Sequence, residues 1–197
     1  DAWVAAMVRA AGRAGALGKP IVLDPVGAGA TTLRTEAARD LIAEATPSVI
    51  RGNASEVLAI GNGAAGTKGV DAVHSVADAA AAARAIARHL GTVLAITGPE
   101  DRVTDGERTV RIQNGHPLMG AVTGTGCTAT ALIGAFLAVD DDPLSAAATA
   151  LAFYGLAGEV ASDSAAAPGS YAVSLIDALY SINPERLQAG ARIQEDK

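Results

Sequence analysis

Three short, mostly apolar stretches, Ile21-Val22-Leu23, Ser48-Val49-Ile50 and Thr92 to Thr97, recur along the chain with helix-length segments between them. A strand that lacks polar alternation has both faces covered, the pattern of a parallel sheet between two helical layers. The spacing predicts helices over Asp1–Leu17, Thr35–Ala45 (capped by Thr35), Ala54–Ile60, Ala77–Leu90, Thr125–Leu137, Pro143–Ala161 and Ser170–Ser181. Gly61 to Gly69 reads as a loop, and Asp71 to Val76 as a connection. Arg102–Thr104 and Thr109–Ile112 alternate polar with apolar residues around Asp105-Gly106, which signals a hairpin with a type I′ turn. From Asn183 the tail reads as fraying into charge. The expected architecture is one α/β domain with a mostly parallel central sheet, helices on both faces and a late β-hairpin.

Composition narrows the function classes. The chain has 197 residues, 50% hydrophobic and 18% charged, enough apolar mass for a packed core. The net charge of −6, with no basic patch, argues against nucleic acid. No stretch free of charges and turn residues reaches membrane-span length, so no membrane partner is expected. The single cysteine excludes an internal disulfide and fits a reducing cytoplasm. The chain begins without Met and already inside a helical pattern, so an N-terminal portion is expected to precede it.

Candidate chemistry gathers where strands end. Asp24 follows the first strand and opens a glycine-rich loop, a place where open α/β sheets bind ligands. Arg51 carries a planar fork of donors suited to phosphate. Asn53 and Glu56 stand three apart, and their bland reading is a helix capping box. Thr97 ends the third strand. Gly124-Thr125-Gly126-Cys127 reads as a tight turn opening a helix, whose first N–H groups lack intrahelical partners and suit an anion. Cys127 then falls in the first turn, where the dipole favours an anionic side chain. Its bland reading is a buried, inert thiol.

Val22 to Thr31, Ile50 to Glu56, Ala95 to Gly98 and Val122 to Cys127, in that order, resemble the hydroxyethylthiazole kinase family. The resemblance implies a ribokinase-like fold and ATP-dependent phosphorylation of the hydroxyl of 4-methyl-5-(2-hydroxyethyl)thiazole in thiamine salvage, with Mg²⁺. It implies that Arg51 and Thr97 contact ATP and that Gly124 contacts the thiazole. Asp24 and Glu56 then lie around Mg²⁺, in part through water, and Cys127 sits beside the reacting hydroxyl as its candidate base. The turn Gly124, Thr125, Gly126 and Cys127 becomes the anion hole. The family is typically a homotrimer with sites at subunit junctions. It also carries a further N-terminal segment with a substrate-contacting Met, and Met7 matches the family at a different position.

Three rival functions remain at this level. A nucleotide-binding module or inactive fragment of such a kinase would bind ATP without turnover. Covalent acyl transfer by Cys127 needs a histidine partner, which the spacing of His74, His89 and His116 does not supply. A dinucleotide oxidoreductase rests on Gly27 and Gly29 alone, with Thr32 where a third glycine is wanted.

Overall fold

The computed structural model describes residues 2–61, 76–165 and 167–196. Helix α1 (Ala2–Ala16) leads into strand β1 (Val22–Leu23), α2 (Thr32–Ala45), β2 (Val49–Gly52) and α3 (Ala54–Gly61). Then come α4 (Val76–Leu90), β3 (Val93–Ile96), the hairpin β4 (Asp101–Thr104) and β5 (Thr109–Ile112), and a 3-10 turn over Pro117–Ala121. Helices α5 (Thr125–Leu137), α6 (Pro143–Ser162), α7 (Pro168–Ser181) and α8 (Pro184–Gly190) precede a last strand, β6 (Ile193–Glu195). The loop expected after Gly61 and the connection before Val76 lie outside the described residues.

The six strands form one sheet in chain order. β1, β2 and β3 run parallel, and β4, β5 and β6 add three antiparallel pairings, so the described sheet is mixed. Alternation within the central strands divides the core. Val49, Val93 and Ala95 pack with Val103, Val110, Ile112 and helices α5 to α7 on one face. Ile50 and Leu94 pack with Val57, Ile60, Ile86 and Ala87 of α3 and α4 on the other. Burial on both faces explains why these strands show no polar alternation. Helix α6 is long and apolar enough to cross a membrane, but 72% of that stretch is buried against the sheet and α7. It is the central helix of the core.

Three local expectations are corrected. The cap of α2 is Thr31, whose side chain accepts from Arg34 N; Thr35 Oγ1 instead accepts from Gly29 N. The hairpin closes from Thr104↔Thr109 over four residues, and Asp105 does not take the positive φ a type I′ turn demands. The Asp105 carboxylate accepts from the N–H groups of Glu107 and Arg108, building the loop without that turn. The tail does not fray after Asn183. Asn183 caps α8, and β6 covers β5 through Ile112↔Ile193, with Asp196 paired to Arg111 and Arg102. Its charges are used as ion pairs along a sheet edge that would otherwise be open.

Gly106 has φ +96°, and a Cβ there would lie 2.3 Å from Arg88 Cγ and 3.0 Å from the Arg84 carbonyl. Gly106→Ala is expected to cost about 1–3 kcal/mol through crowding against helix backbone, read as a lowered midpoint in denaturant unfolding.

Candidate active site

The parallel strands end on one side of the sheet, and the antiparallel strands place Asp101 and Asn114 on that same side. Register does the positioning. Leu23 pairs with Ile50, so Asp24 emerges beside Arg51. Gly52 pairs with Ile96, so Thr97 emerges next to Gly52, whose carbonyl accepts from Thr97 N. The Arg51 side chain lies on the α5 face of the sheet. Its Nη1 is 3.3 Å from Asp24 Oδ2, and its Nη2 donates to Thr97 Oγ1 at 2.7 Å. Both members of the ion pair are about 15% exposed, at 14% for Arg51 and 15% for Asp24. Thr130, one turn into α5 beyond Gly126, donates to the same Asp24 Oδ2 at 2.8 Å. No described residue bonds Asp24 Oδ1.

The two glycine-rich loops have opposite fates. In the loop after β1, Gly27 and Gly29 both have positive φ, but its N–H groups are spent internally. Gly27 N donates to Glu56 Oε1, Ala28 N to the Pro25 carbonyl, Gly29 N to Thr35 Oγ1 and Ala30 N to the Gly27 carbonyl. The N–H groups of Gly27 to Ala30 are therefore not free for a pyrophosphate, and Thr32 stands where the third glycine of a dinucleotide fingerprint is wanted, so the dinucleotide reading gains no support here. At the start of α5, Gly124 holds φ +95° and supplies no side-chain cap. Among the described residues nothing accepts from the N–H groups of Thr125, Gly126 or Cys127. These donors are free for an anion. A Cβ on Gly126 would lie 2.7 Å from Arg51 Nη1, so the turn lies close against the guanidinium and a side chain there would push it aside.

Glu56 completes the capping box. Its Oε2 accepts from Asn53 N at 2.9 Å, while Asn53 Oδ1 accepts from Glu56 N. With Oε1 on Gly27 N, the carboxylate staples the loop after β1 to the start of α3. Each oxygen keeps a second lone pair. No group of three or more His, Cys, Asp or Glu is arranged to hold a metal among the described residues. Asp24 Oδ1, unbonded among the described residues, and the spare lone pairs of Glu56 are carboxylate donors of the kind used by an ion that completes its shell with water and phosphate oxygens.

A cavity of about 540 Å³ opens beside Arg51. Arg51, Thr97, Thr125 and Gly126 line one part, and the stretch Asn114–Pro117 with Leu151, Tyr154 and Gly155 lines another. Two buried polar atoms border it without hydrogen-bond partners, Arg51 Nε and Tyr154 Oη. Burial raises the Tyr154 phenol above its ordinary range, opposed by the nearby Thr128 hydroxyl and the Arg51 charge. Asp101 also faces this cavity and accepts from Gly98 N at 2.9 Å. Burial pushes its carboxyl up to about 6, against the pull of the Gly98 N–H and Arg51.

Cys127 is exposed, not buried, which overturns the bland reading of an inert core thiol. It lies on the first turn of α5, outside the cavity lining. Neither described histidine pairs with it: His116 Nδ1 accepts from Leu118 N, and its ring lies against Tyr171. Sequence reasoning missed Thr130, Asp101 and Tyr154. Thr130 carried a usable signal, since it follows Gly126 by one helical turn and so shares its face.

The chain is similar to known proteins over nearly its whole length. The profile of the Hydroxyethylthiazole kinase family matches residues 1–185. A hydroxyethylthiazole kinase of Desulfotalea psychrophila is 58% identical over 195 residues, covering 99% of this chain and 71% of the relative. One from Cereibacter sphaeroides is 50% identical over 192 residues, covering 98% and 72%. The solved hydroxyethylthiazole kinase of Pyrococcus horikoshii superposes with a TM-score of 0.89 at 41% identity, covering 99% of this chain and 72% of that one. The pyridoxal kinase of Staphylococcus aureus in complex with AMP-PCP, at 22% identity, covers 78% of this chain and 59% of its own with a TM-score of 0.53, a likeness of fold alone.

The Asp101 carboxyl gives a pH signature. Its pKa in the folded state lies above the ordinary 3.8, so folding favours the protonated form. That contribution is present at low pH and is lost as pH rises through about 6. Asp101→Asn is therefore expected to raise the melting temperature at pH 8, with the gain shrinking as pH falls to about 4.5. Paired thermal melts across that range check it.

Proposed function

The chain belongs to the hydroxyethylthiazole kinase family, and on that premise we propose that it phosphorylates the hydroxyl of 4-methyl-5-(2-hydroxyethyl)thiazole, with ATP as phosphoryl donor bound beside Arg51. The fold is ribokinase-like, and residues 1–197 are read as a single kinase domain. The observation that carries the reading is the set of N–H groups on Thr125, Gly126 and Cys127, without acceptors among the described residues, on a turn that lies close against the Arg51 guanidinium.

Phosphoryl transfer needs positioning and charge neutralisation more than covalent chemistry. Arg51 and Thr97 hold phosphate oxygens of ATP, and the N–H groups of the α5 turn stabilise charge on the transferring group. Asp24 and Glu56 would hold Mg²⁺, partly by way of water, and the ion when bound would supply positive charge against the triphosphate. Gly124 takes the thiazole. The substrate hydroxyl oxygen forms the new bond to the γ-phosphorus as the bond from phosphorus to the ADP oxygen breaks. Cys127 accepts the proton that the hydroxyl loses. Its exposure on the outer side of the turn suits a substrate approaching there, and a homotrimer with the thiazole held at a subunit junction would cover it. The single, exposed thiol fits a cytoplasmic setting.

The direct test is ADP production with ATP, Mg²⁺ and the thiazole, with and without the thiazole. Thiazole-dependent ADP is the expected result. ATP binding without turnover would favour a binding module or an inactive fragment. Cys127→Asp is expected to keep or raise kcat, since a carboxylate is ionised at pH 7, whereas Cys127→Ala lowers kcat by about 10²-fold or less, the proton being lost late. Complete loss of turnover in a folded Cys127→Asp variant would contradict a role as base.

A further inference from the structure

The wall of the cavity over Asn114–Pro117 is not held by the sheet that delivers it. Strand β5 ends at Ile112, and the chain turns sharply, with Gly115 at φ +143°. Two elements distant in sequence grip this turn. Helix α6 does so twice on one face. At Gly155 a Cβ would lie 2.5 Å from the Asn114 carbonyl carbon and oxygen, so the helix leaves a gap that the loop backbone fills. One turn later, Glu159 Oε1 accepts from Gly115 N at 2.8 Å, and from Asn114 Nδ2 at 3.3 Å.

The C-terminal arm closes the other side. Arg192 N donates to Asn114 Oδ1 at 2.7 Å, and Asn114 Nδ2 donates to the Gly190 carbonyl at 3.0 Å. The Arg192 guanidinium reaches both oxygens of Glu159, and its Nη2 also donates to the Gln113 carbonyl at 2.6 Å. Asn114 is 6% exposed, and all of its side-chain polar atoms are engaged.

We infer that Glu159 and Arg192 are positioning residues for the nucleotide, acting as a buckle that fixes the Asn114–Pro117 wall of the cavity through the C-terminal arm. This rests on the reading that the cavity takes ATP. The ion pair itself is partly exposed, 47% for Arg192 and 26% for Glu159. Pairs of that kind contribute little to global stability. Their effect falls on a single loop, whose misplacement by a fraction of an ångström weakens the fit of a bound ligand.

The experiment compares the full chain with Arg192→Ala, Glu159→Gln and Arg192→Lys. Binding of a non-hydrolysable ATP analogue is measured by calorimetry, alongside KM for each substrate and thermal melts. Arg192→Ala and Glu159→Gln are expected to weaken analogue binding and raise KM for ATP about tenfold. Melting temperature, kcat at saturating ATP and KM for the thiazole should change little. Arg192→Lys keeps the charge without the planar fork and should recover part of the loss. Should Arg192→Ala fail to fold, Glu159→Gln and Arg192→Lys carry the same comparison. Unchanged analogue binding in folded variants overturns the inference and leaves the nucleotide reading standing. A raised KM for the thiazole with unchanged ATP parameters, or no analogue binding by the wild-type chain, overturns the assignment of the cavity to the nucleotide and the inference with it.

Discussion

A guanidinium placed inside a β-strand is costly unless its charge is met, and Arg51 in β2 is the point on which this site depends. Two neighbouring strand ends meet it. The β1–β2 register brings Asp24 to Nη1, and the β2–β3 register brings Thr97 to Nη2. Thr130 from α5 then shares the Asp24 oxygen, tying the helix to the same pair. Removing either charge would leave the other buried and uncompensated, the expensive case for an ion pair. Among the described residues the arrangement also leaves Arg51 Nε buried without a hydrogen-bond partner and Asp24 Oδ1 unbonded, so the pair is satisfied enough to fold and open enough to receive a charged ligand.

Glycine serves two different ends in this chain. In the loop after β1 it allows backbone N–H groups to turn inward, onto Glu56, Thr35 and the loop's own carbonyls. At the start of α5 it leaves them unspent and lets them approach Arg51. The distinction is one of partners. Glu56 and Thr35 stand where they can cap the first loop, whereas Gly124 supplies no cap to the second.

The parts of the site that lie at strand ends were legible, because a short apolar run marks where a parallel strand stops and its next polar residue faces the crevice. Asp24, Arg51 and Thr97 were found in that way, and the three do meet. Glu56 was legible as a capping residue, and the cap is present; its second bond, to Gly27 N, joins positions 29 apart and could not be read from local spacing. The C-terminal arm was misread because Ile193-Gln194-Glu195 is exposed on an edge and shows no buried face. Its pairing comes from β5 and from the Arg111 and Arg102 partners of Asp196, all distant in sequence. Thr31 was passed over as the α2 cap because Thr35 offers the same chemistry, and only the loop's need for an acceptor at Gly29 N separates them.

The central claim is that phosphate is bound by the backbone at the start of α5 and not by the glycine loop after β1. Amide resonances of the isotope-labelled chain, followed during titration with a non-hydrolysable ATP analogue and Mg²⁺, test it most directly. The account predicts large shifts at Thr125, Gly126 and Cys127, with Gly27 and Gly29 nearly still. Large shifts at Gly27 and Gly29 with an unmoved α5 turn would contradict it.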